Sequence, residues 1–323
     1  MNQIKLSILS PCYNGEKYIE KYFKNILEQT FNEYEVIIVN DGSKDNSDSI
    51  IRKYKKIFED KGITFKYLNK PQNEGHAKAI SDGLKLVTGK YLMWPDIDDY
   101  MHEDHLEKHV QYMENNEDVD LCIGKSAVYN VNDLSTPLFY AWNYFPKDKK
   151  SLIKDFMLSE KQNVGFMSGT FILKTEFLWS VYPKKDIYSQ ISVGPTIQMV
   201  FPAVYLGKVG YLSECTFDYY IHGNNQHLVN ELNQYKKIKL VYDNVLDDIG
   251  IVGKESEKLK KRATNVSDRM VFCYAFRNND LLMAKQAWKN LKSNNGIRFK
   301  EWVKYIILNI KPINVIFFKL KGK

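Results

Sequence analysis

From Lys5 to Tyr129, short β-rich runs alternate with helix-patterned segments, and each run ends abruptly in a polar cluster. Lys5 to Leu9, Glu35 to Val39, Thr64 to Leu68 and Lys90 to Trp94 read as strands; the second is a near-continuous apolar run, as in parallel strands buried on both faces. Gly15 to Gln29, Asp45 to Phe58 and Ala77 to Val87 have helical spacing, with Asn46 or Ser47 placed to cap the second and Gly89 closing the third. Right-handed crossovers stack such repeats into an open parallel sheet, and ligands gather beyond the carboxyl ends of its strands. The pattern predicts a doubly wound, mostly parallel α/β sheet flanked by helices. Its first four strands should bring Pro11-Cys12-Tyr13-Asn14, Asn40-Asp41-Gly42-Ser43, Asn69 to Gly75 and Asp96-Ile97-Asp98-Asp99 to one edge.

Further on, His102 to Glu114 reads as a helix, Leu121 to Tyr129 and Met167 to Lys174 as strands, and Thr175 to Val181 and Thr196 to Leu206 as helices. Beyond His227 the pattern changes to long polar helices, which sets a boundary near Asn230. The expected organisation is a main domain at 1–229, with a nucleotide-binding half (1–130) and an acceptor-binding half (131–229). A helical C-terminal appendage follows at 230–323. A chain of 323 residues is long enough for one sizeable core and a smaller companion.

Three carboxylates within four residues, Asp96, Asp98 and Asp99, repel one another unless a cation or strong donors neutralise them. Mn2+ or Mg2+ fits, because such ions take carboxylate, phosphate and water oxygens. An acidic turn capping the helix near His102 is the alternative. Asp41 lies where an acidic group can hold a ribose or a base N–H, or merely close an Asx turn with Gly42. Tyr13 and Asn14 are placed to stack on and bond to a base.

Together these segments resemble glycosyltransferase family 2 of the GT-A fold. The likeness rests on Ser10-Pro11-Cys12-Tyr13-Asn14, Val39-Asn40-Asp41-Gly42-Ser43, Asn73-Glu74-Gly75 through Ala79 and Gly83, Thr88-Gly89-Lys90-Tyr91, and Asp96-Ile97-Asp98-Asp99. The resemblance implies that Pro11, Tyr13, Asn14 and Asp41 hold a nucleoside, commonly uridine. It implies a ribose or sugar contact at Asp96, with Ile97 beside it, and a metal-diphosphate site at Asp98 and Asp99. His222, in Tyr219-Tyr220-Ile221-His222, resembles a further metal ligand. The function implied is inverting, metal-dependent transfer from a UDP-linked sugar to a glycan or lipid-linked glycan, in surface polysaccharide assembly.

Two departures stand out. Ile80 follows Ala79 where the family often has Arg, which leaves Lys78 or His76 as partners of the diphosphate. The usual Glu-Asp pair is replaced by Gly194-Pro195-Thr196-Ile197-Gln198, and a hydroxyl is no base at neutral pH. Asp186 is then the candidate base, and a GT-A module that binds donor or glycan without turnover is the alternative. Trp142, Trp179 and nearby Tyr residues are candidate sugar platforms for the acceptor, or simply core.

The remaining features bound the setting. Cys12, Cys122, Cys215 and Cys273 form no CxxC pair, so a zinc knuckle or disulfide framework is not indicated and a reducing cytosol fits. No stretch is long and apolar enough for a signal core or a membrane span. The net charge of +7 is concentrated at Lys254 to Arg262 and Arg298 to Lys323. From Ile297 to Lys321, Phe299, Trp302, Val303, Ile306, Ile307 and Ile310 mix with Arg298, Lys300, Lys304 and Lys311 before Pro312. A basic amphipathic segment of this kind either lies on a membrane, here the inner face of the plasma membrane, or docks on protein. A GxGxxG turn is missing, which argues against a dinucleotide enzyme, and nothing marks nucleic-acid binding.

Overall fold

The computed structural model describes residues 4–158, 167–187, 194–222 and 231–310. Two expectations fall partly outside these: the boundary near Asn230 and the tail from Lys311 onward. The contact pattern divides the chain into units at 1–223 and 224–323.

The first unit begins β1 (Leu6–Cys12), α1 (Ile19–Leu27), β2 (Tyr34–Asn40), α2 (Ser47–Asp60), β3 (Thr64–Asn69), α3 (His76–Leu84) and β4 (Tyr91–Met93). There follow β5 (Tyr100–Met101), α4 (His105–Asn115), β6 (Leu121–Asn130), β7 (Phe139–Ala141) and α5 (Lys149–Leu158). A 3-10 turn (Ser168–Thr170), β8 (Phe171–Lys174), α6 (Thr175–Val181), α7 (Pro195–Leu206) and β9 (Val209–Ile221) complete it. The strands form one sheet in the order β3-β2-β1-β4-β8-β6-β9-β5, with β7 on β6. The β3-β2-β1-β4 half is wholly parallel, β8 runs antiparallel to β4 and β6, and β6 and β9 are parallel.

Strand alternation decides which face each helix covers. Tyr34 of β2 reaches α1, where its hydroxyl donates to the Ile26 carbonyl at 3.2 Å. Val39, of opposite parity, meets Gly83 of α3 on the other face together with Leu9 of β1, and a Cβ on Gly83 would lie 2.3 Å from Leu9 Cδ1. Beneath α1 and α2, Phe23, Tyr54, Phe58 and Phe65 pack ring to ring at 5.0–5.8 Å between centroids. Phe23 and Phe58 are fully buried, worth up to about 3 kcal/mol each.

Several boundaries move. The Gly15–Gln29 helix begins only at Ile19, because Asn14 has a positive φ of 49° and the next residues turn. The third helix ends at Leu84 rather than Val87. Met167–Lys174 is not one strand: Ser168–Thr170 turn as a 3-10 helix before β8. Glu35, read within an apolar run, is a fully buried carboxylate. It accepts from Ser7 Oγ (2.6 Å), Thr88 N (2.8 Å) and Thr88 Oγ1 (3.0 Å), and pairs with Lys66 Nζ (2.6 Å). One side chain thereby ties β1, β3 and the loop before β4 to β2.

The second unit contains α8 (Glu231–Asp248), α9 (Gly253–Arg277), α10 (Leu281–Ser293) and α11 (Phe299–Asn309). Phe272, Ala275, Phe276, Ala284, Ala287, Leu291 and Leu308 form a core there. Among the described residues no helix is long and apolar enough to cross a membrane.

Candidate functional site

The loops that leave β1, β2 and β3 interlock. Asp41 N donates to Cys12 O at 2.8 Å, Asn14 N to Ser43 Oγ at 2.9 Å, and Lys44 N to Asn14 Oδ1 at 2.8 Å. Gly42 has a φ of +71°, and a Cβ there would stand 2.3 Å from the Gln72 carbonyl carbon, so only glycine lets the β2 and β3 loops cross. Asp41 is buried and fully engaged. Its carboxylate accepts from Glu74 N (3.1 Å) and Gly75 N (2.8 Å) at the start of α3, and Lys70 Nζ lies 2.7 Å away. It therefore braces three loops, and its negative charge suits the amino end of α3. Tyr13 is 44% exposed beside this frame. Pro11 is half-buried at the end of β1, paired with Val39. Ile97 packs close to Gly15, where a Cβ would lie 2.4 Å from Ile97 Cδ1.

The loop after β4 carries the acidic group. Ser10 Oγ donates to the Pro95 carbonyl at 2.8 Å and anchors this loop to β1. Asp96 Oδ2 accepts from Ser168 Oγ at 2.7 Å, and Asp96 Oδ1 lies 3.5 Å from His76 Nε2. Asp98 Oδ2 faces His222 Nε2 at 2.9 Å, and the His222 ring stacks on Tyr18 with centroids 5.4 Å apart. Asp99 sits behind them, buried; Oδ1 accepts from Tyr220 N at 3.3 Å, while Oδ2 is buried without a hydrogen-bond partner. Burial, then repulsion from Asp96, raises the Asp98 carboxyl above its ordinary range against the opposing bond to His222. Burial and then the charge of Asp98 raise Asp99 further. A cavity of about 170 Å³ opens on these groups, lined by Tyr18, Lys21, Asp98, Val131, Leu134 and His222 among others.

Such a site suits a divalent cation. Adjacent ligands of one Mg2+ lie about 3 Å apart when each bond is about 2.1 Å, which is close to the Asp98–His222 separation. Asp99 Oδ2, buried without a hydrogen-bond partner, is a carboxylate oxygen that a cation held here would satisfy. Among the described residues, no three His, Cys, Asp or Glu side chains group as a ready-made metal set. Two protein ligands completed by phosphate and water are the usual pattern for Mg2+.

The structure thus joins Asp96, Ile97, Asp98, Asp99 and His222 at one edge. Lys78 is elsewhere occupied, bonded to Asp82 on its own helix, so His76 is the candidate diphosphate partner nearer Asp96. Asp186 accepts from Ser81 on the flank of α3, and among the described residues no hydrogen bond links it to the acidic loop. At the position of the missing Glu-Asp pair, Thr196 Oγ1 accepts from Trp94 Nε1 at 3.3 Å. Trp142 is buried and belongs to the core. The sequence reading missed Ser168, whose only signal was a Ser-Gly-Thr turn before an apolar run, and the long strand β9 that presents His222.

GlyG, a glycosyltransferase of Streptococcus pneumoniae, is 28% identical over 186 residues, covering 58% of each chain. This chain therefore spans a little over half of that relative. S. aureus TarS, solved in complex with UDP-GlcNAc, superposes with a TM-score of 0.62 at 18% identity, covering 94% of this chain and 79% of that one. The Pyrobaculum calidifontis mannosyltransferase PcManGT, solved with GDP-Man and Mn2+, gives 0.54 at 14% identity, covering 94% and 84%. These two likenesses establish the GT-A architecture that the order of strands indicated. The family profile described as Glycosyl transferase family 2 matches residues 7–180, from within β1 to within α6, and so takes in the four converging loops and the Asp96–Asp99 edge: the chain belongs to glycosyl transferase family 2.

Proposed function

We propose that this protein transfers a sugar, with inversion, from a UDP-linked donor to a glycan or lipid-linked glycan acceptor in surface polysaccharide biosynthesis. The observation that carries the reading is the meeting of Asp96, Asp98 and His222 beside the loop frame braced by Asp41. Tyr13 offers its ring to the base, with Pro11 and Asn14 shaping that wall and Asp41 holding the frame. Asp96, oriented by Ser168 and His76, accepts from a ribose or sugar hydroxyl, and Ile97 seals the floor against Gly15. Asp98 and His222 would hold Mn2+ or Mg2+, with Asp99 adding negative charge from behind; an ion bound there would supply positive charge to the donor's diphosphate. Work at the cytoplasmic face of the plasma membrane fits a lipid-linked acceptor.

Asp186 is the proposed base for the acceptor hydroxyl, a role supported by its exposure and by the loss of carboxylates at Pro195 and Thr196. One observation favours the second reading, binding without turnover: Thr196 takes the place of the usual carboxylate and is bonded to Trp94. The test is to supply Mn2+, a panel of nucleotide-sugars and glycan acceptors, and to measure released nucleoside diphosphate. Release of UDP, lost in Asp98→Ala, is expected. Retained binding with no release across the panel would replace the enzyme reading with the binding module.

A further inference from the structure

The helix α11 carries a second apolar face besides the one that packs inward through Tyr305, Ile307 and Leu308. In a surface helix the apolar stripe faces the core and the charged face meets water. Here the inward side holds Glu301, only 4% exposed, and Leu308, 4% exposed. Glu301 accepts from Arg298 N at 3.1 Å in a capping box and lies 3.8 Å from Arg269 Nε. Lys304 is also turned in: its Nζ lies 3.1 Å from Cys273 Sγ and over the Phe276 ring. Tyr305 stacks on Trp288 with centroids 4.2 Å apart. The outward side instead carries Phe299 (76% exposed), Trp302 (49%), Val303 (36%) and Ile310 (42%). Phe299, Trp302 and Val303, three and four apart, share one face, with Ile310 at the helix C-cap, Phe299 and Trp302 stacked and Lys300 exposed at the margin.

Apolar side chains exposed in a row mark a surface that something covers. The charge around them indicates what. All of the chain's net positive charge lies in the second unit; residues 1–223 are net acidic. An exposed aromatic pair with a lysine margin on a cationic helical unit is complementary to an anionic bilayer surface, where Trp and Phe lie at headgroup depth and Lys meets the phosphates.

We infer that the outward face of α11, made of Phe299, Trp302 and Val303 with Ile310 at its C-cap, docks the protein on an anionic lipid surface. The inference is independent of the donor site and stands even if the site turns over nothing. The test uses the full chain, with vesicles of phosphatidylcholine alone or mixed equally with phosphatidylglycerol, in a flotation assay. Wild-type protein is expected to float with the anionic vesicles, less so as salt rises, and hardly at all with the neutral ones. The double variant Trp302→Ser, Val303→Ser should lose about tenfold in partitioning. Because it replaces exposed groups, it should keep the wild-type melting temperature; Lys300→Glu, a charge reversal, is the second probe and should also weaken binding. Equal flotation of wild type and double variant would overturn the inference. So would an absence of vesicle binding with concentration-dependent dimerisation that the double variant abolishes, since the face would then belong to a second copy.

Discussion

Asp98 and His222 lie 124 positions apart in sequence, yet their side chains meet at 2.9 Å, one from the loop after β4 and the other from the end of β9. The antiparallel pairing of β5, which follows that loop, with β9 brings them together. If His222 is a ligand and not only a hydrogen-bond partner, His222→Ala should lower metal-dependent donor cleavage by about 30-fold or more, as loss of a charge-organising group does. Its melting temperature should change little. Steady-state rates measured against Mn2+ concentration check this; an unchanged dependence on Mn2+ would remove His222 from the site.

Ser168→Ala takes one charge-assisted bond from Asp96. The partly exposed carboxylate then recruits water, so folding is spared and orientation suffers. Donor binding should weaken about fivefold, in keeping with the worth of one such bond. Titration calorimetry with the intact nucleotide-sugar reads it, and equal affinity for both proteins would show that Asp96 needs no positioning.

Glu35→Ala should destabilise the first unit by about 3 kcal/mol. The loss comes from the bonds to Ser7 and Thr88 and from leaving Lys66 without its carboxylate, although Lys66, 27% exposed, regains some water. Urea denaturation gives the difference directly. A change under 1 kcal/mol would mean the buried carboxylate is dispensable to the sheet.

His105 and His109 set an acid limit. Both are fully buried; His105 bonds Thr216 Oγ1 at 2.8 Å and the Gly169 carbonyl at 3.1 Å, and His109 bonds the His105 carbonyl at 2.9 Å. Burial, followed by repulsion from His109, holds His105 well below its ordinary value, and burial lowers His109 to about 4. The unfolded chain therefore takes up protons below about 6.5 that the folded chain refuses. Their contribution is fully present above about 6.5 and is lost as pH falls toward 4, by roughly 1.4 kcal/mol per unit for each histidine. Denaturation midpoints at three pH values in this window, compared with those of His109→Gln, should show a shallower fall for the variant. Parallel curves would refute the assignment.

The parts of the fold legible in sequence were those governed by local rules. The β1 to β4 units announce themselves through short apolar runs ended by polar clusters, and the strand-edge rule places Asp96, Asp98 and Asp99 beside the Asp41 loop. Contacts made across the sheet were hidden. Glu35 looked like part of an apolar run because its partners Ser7, Lys66 and Thr88 come from three other segments. Ser168 and the His105–His109 pair gave no periodic signal, since their roles depend on β8 and β9 lying beside α4. Position alone points Lys78 toward the diphosphate, but an aspartate one turn on, Asp82, captures it. For α11 the apolar stripe was visible, but only the fold shows that it faces outward.

Titration of UDP into the protein with and without Mn2+, for wild type and Asp98→Ala, tests the central claim most directly. The account predicts that Mn2+ tightens UDP binding to the wild type by about 100-fold and that Asp98→Ala abolishes this gain. Equal UDP affinity with and without the cation, or a gain that survives the loss of the Asp98 carboxylate, would contradict it.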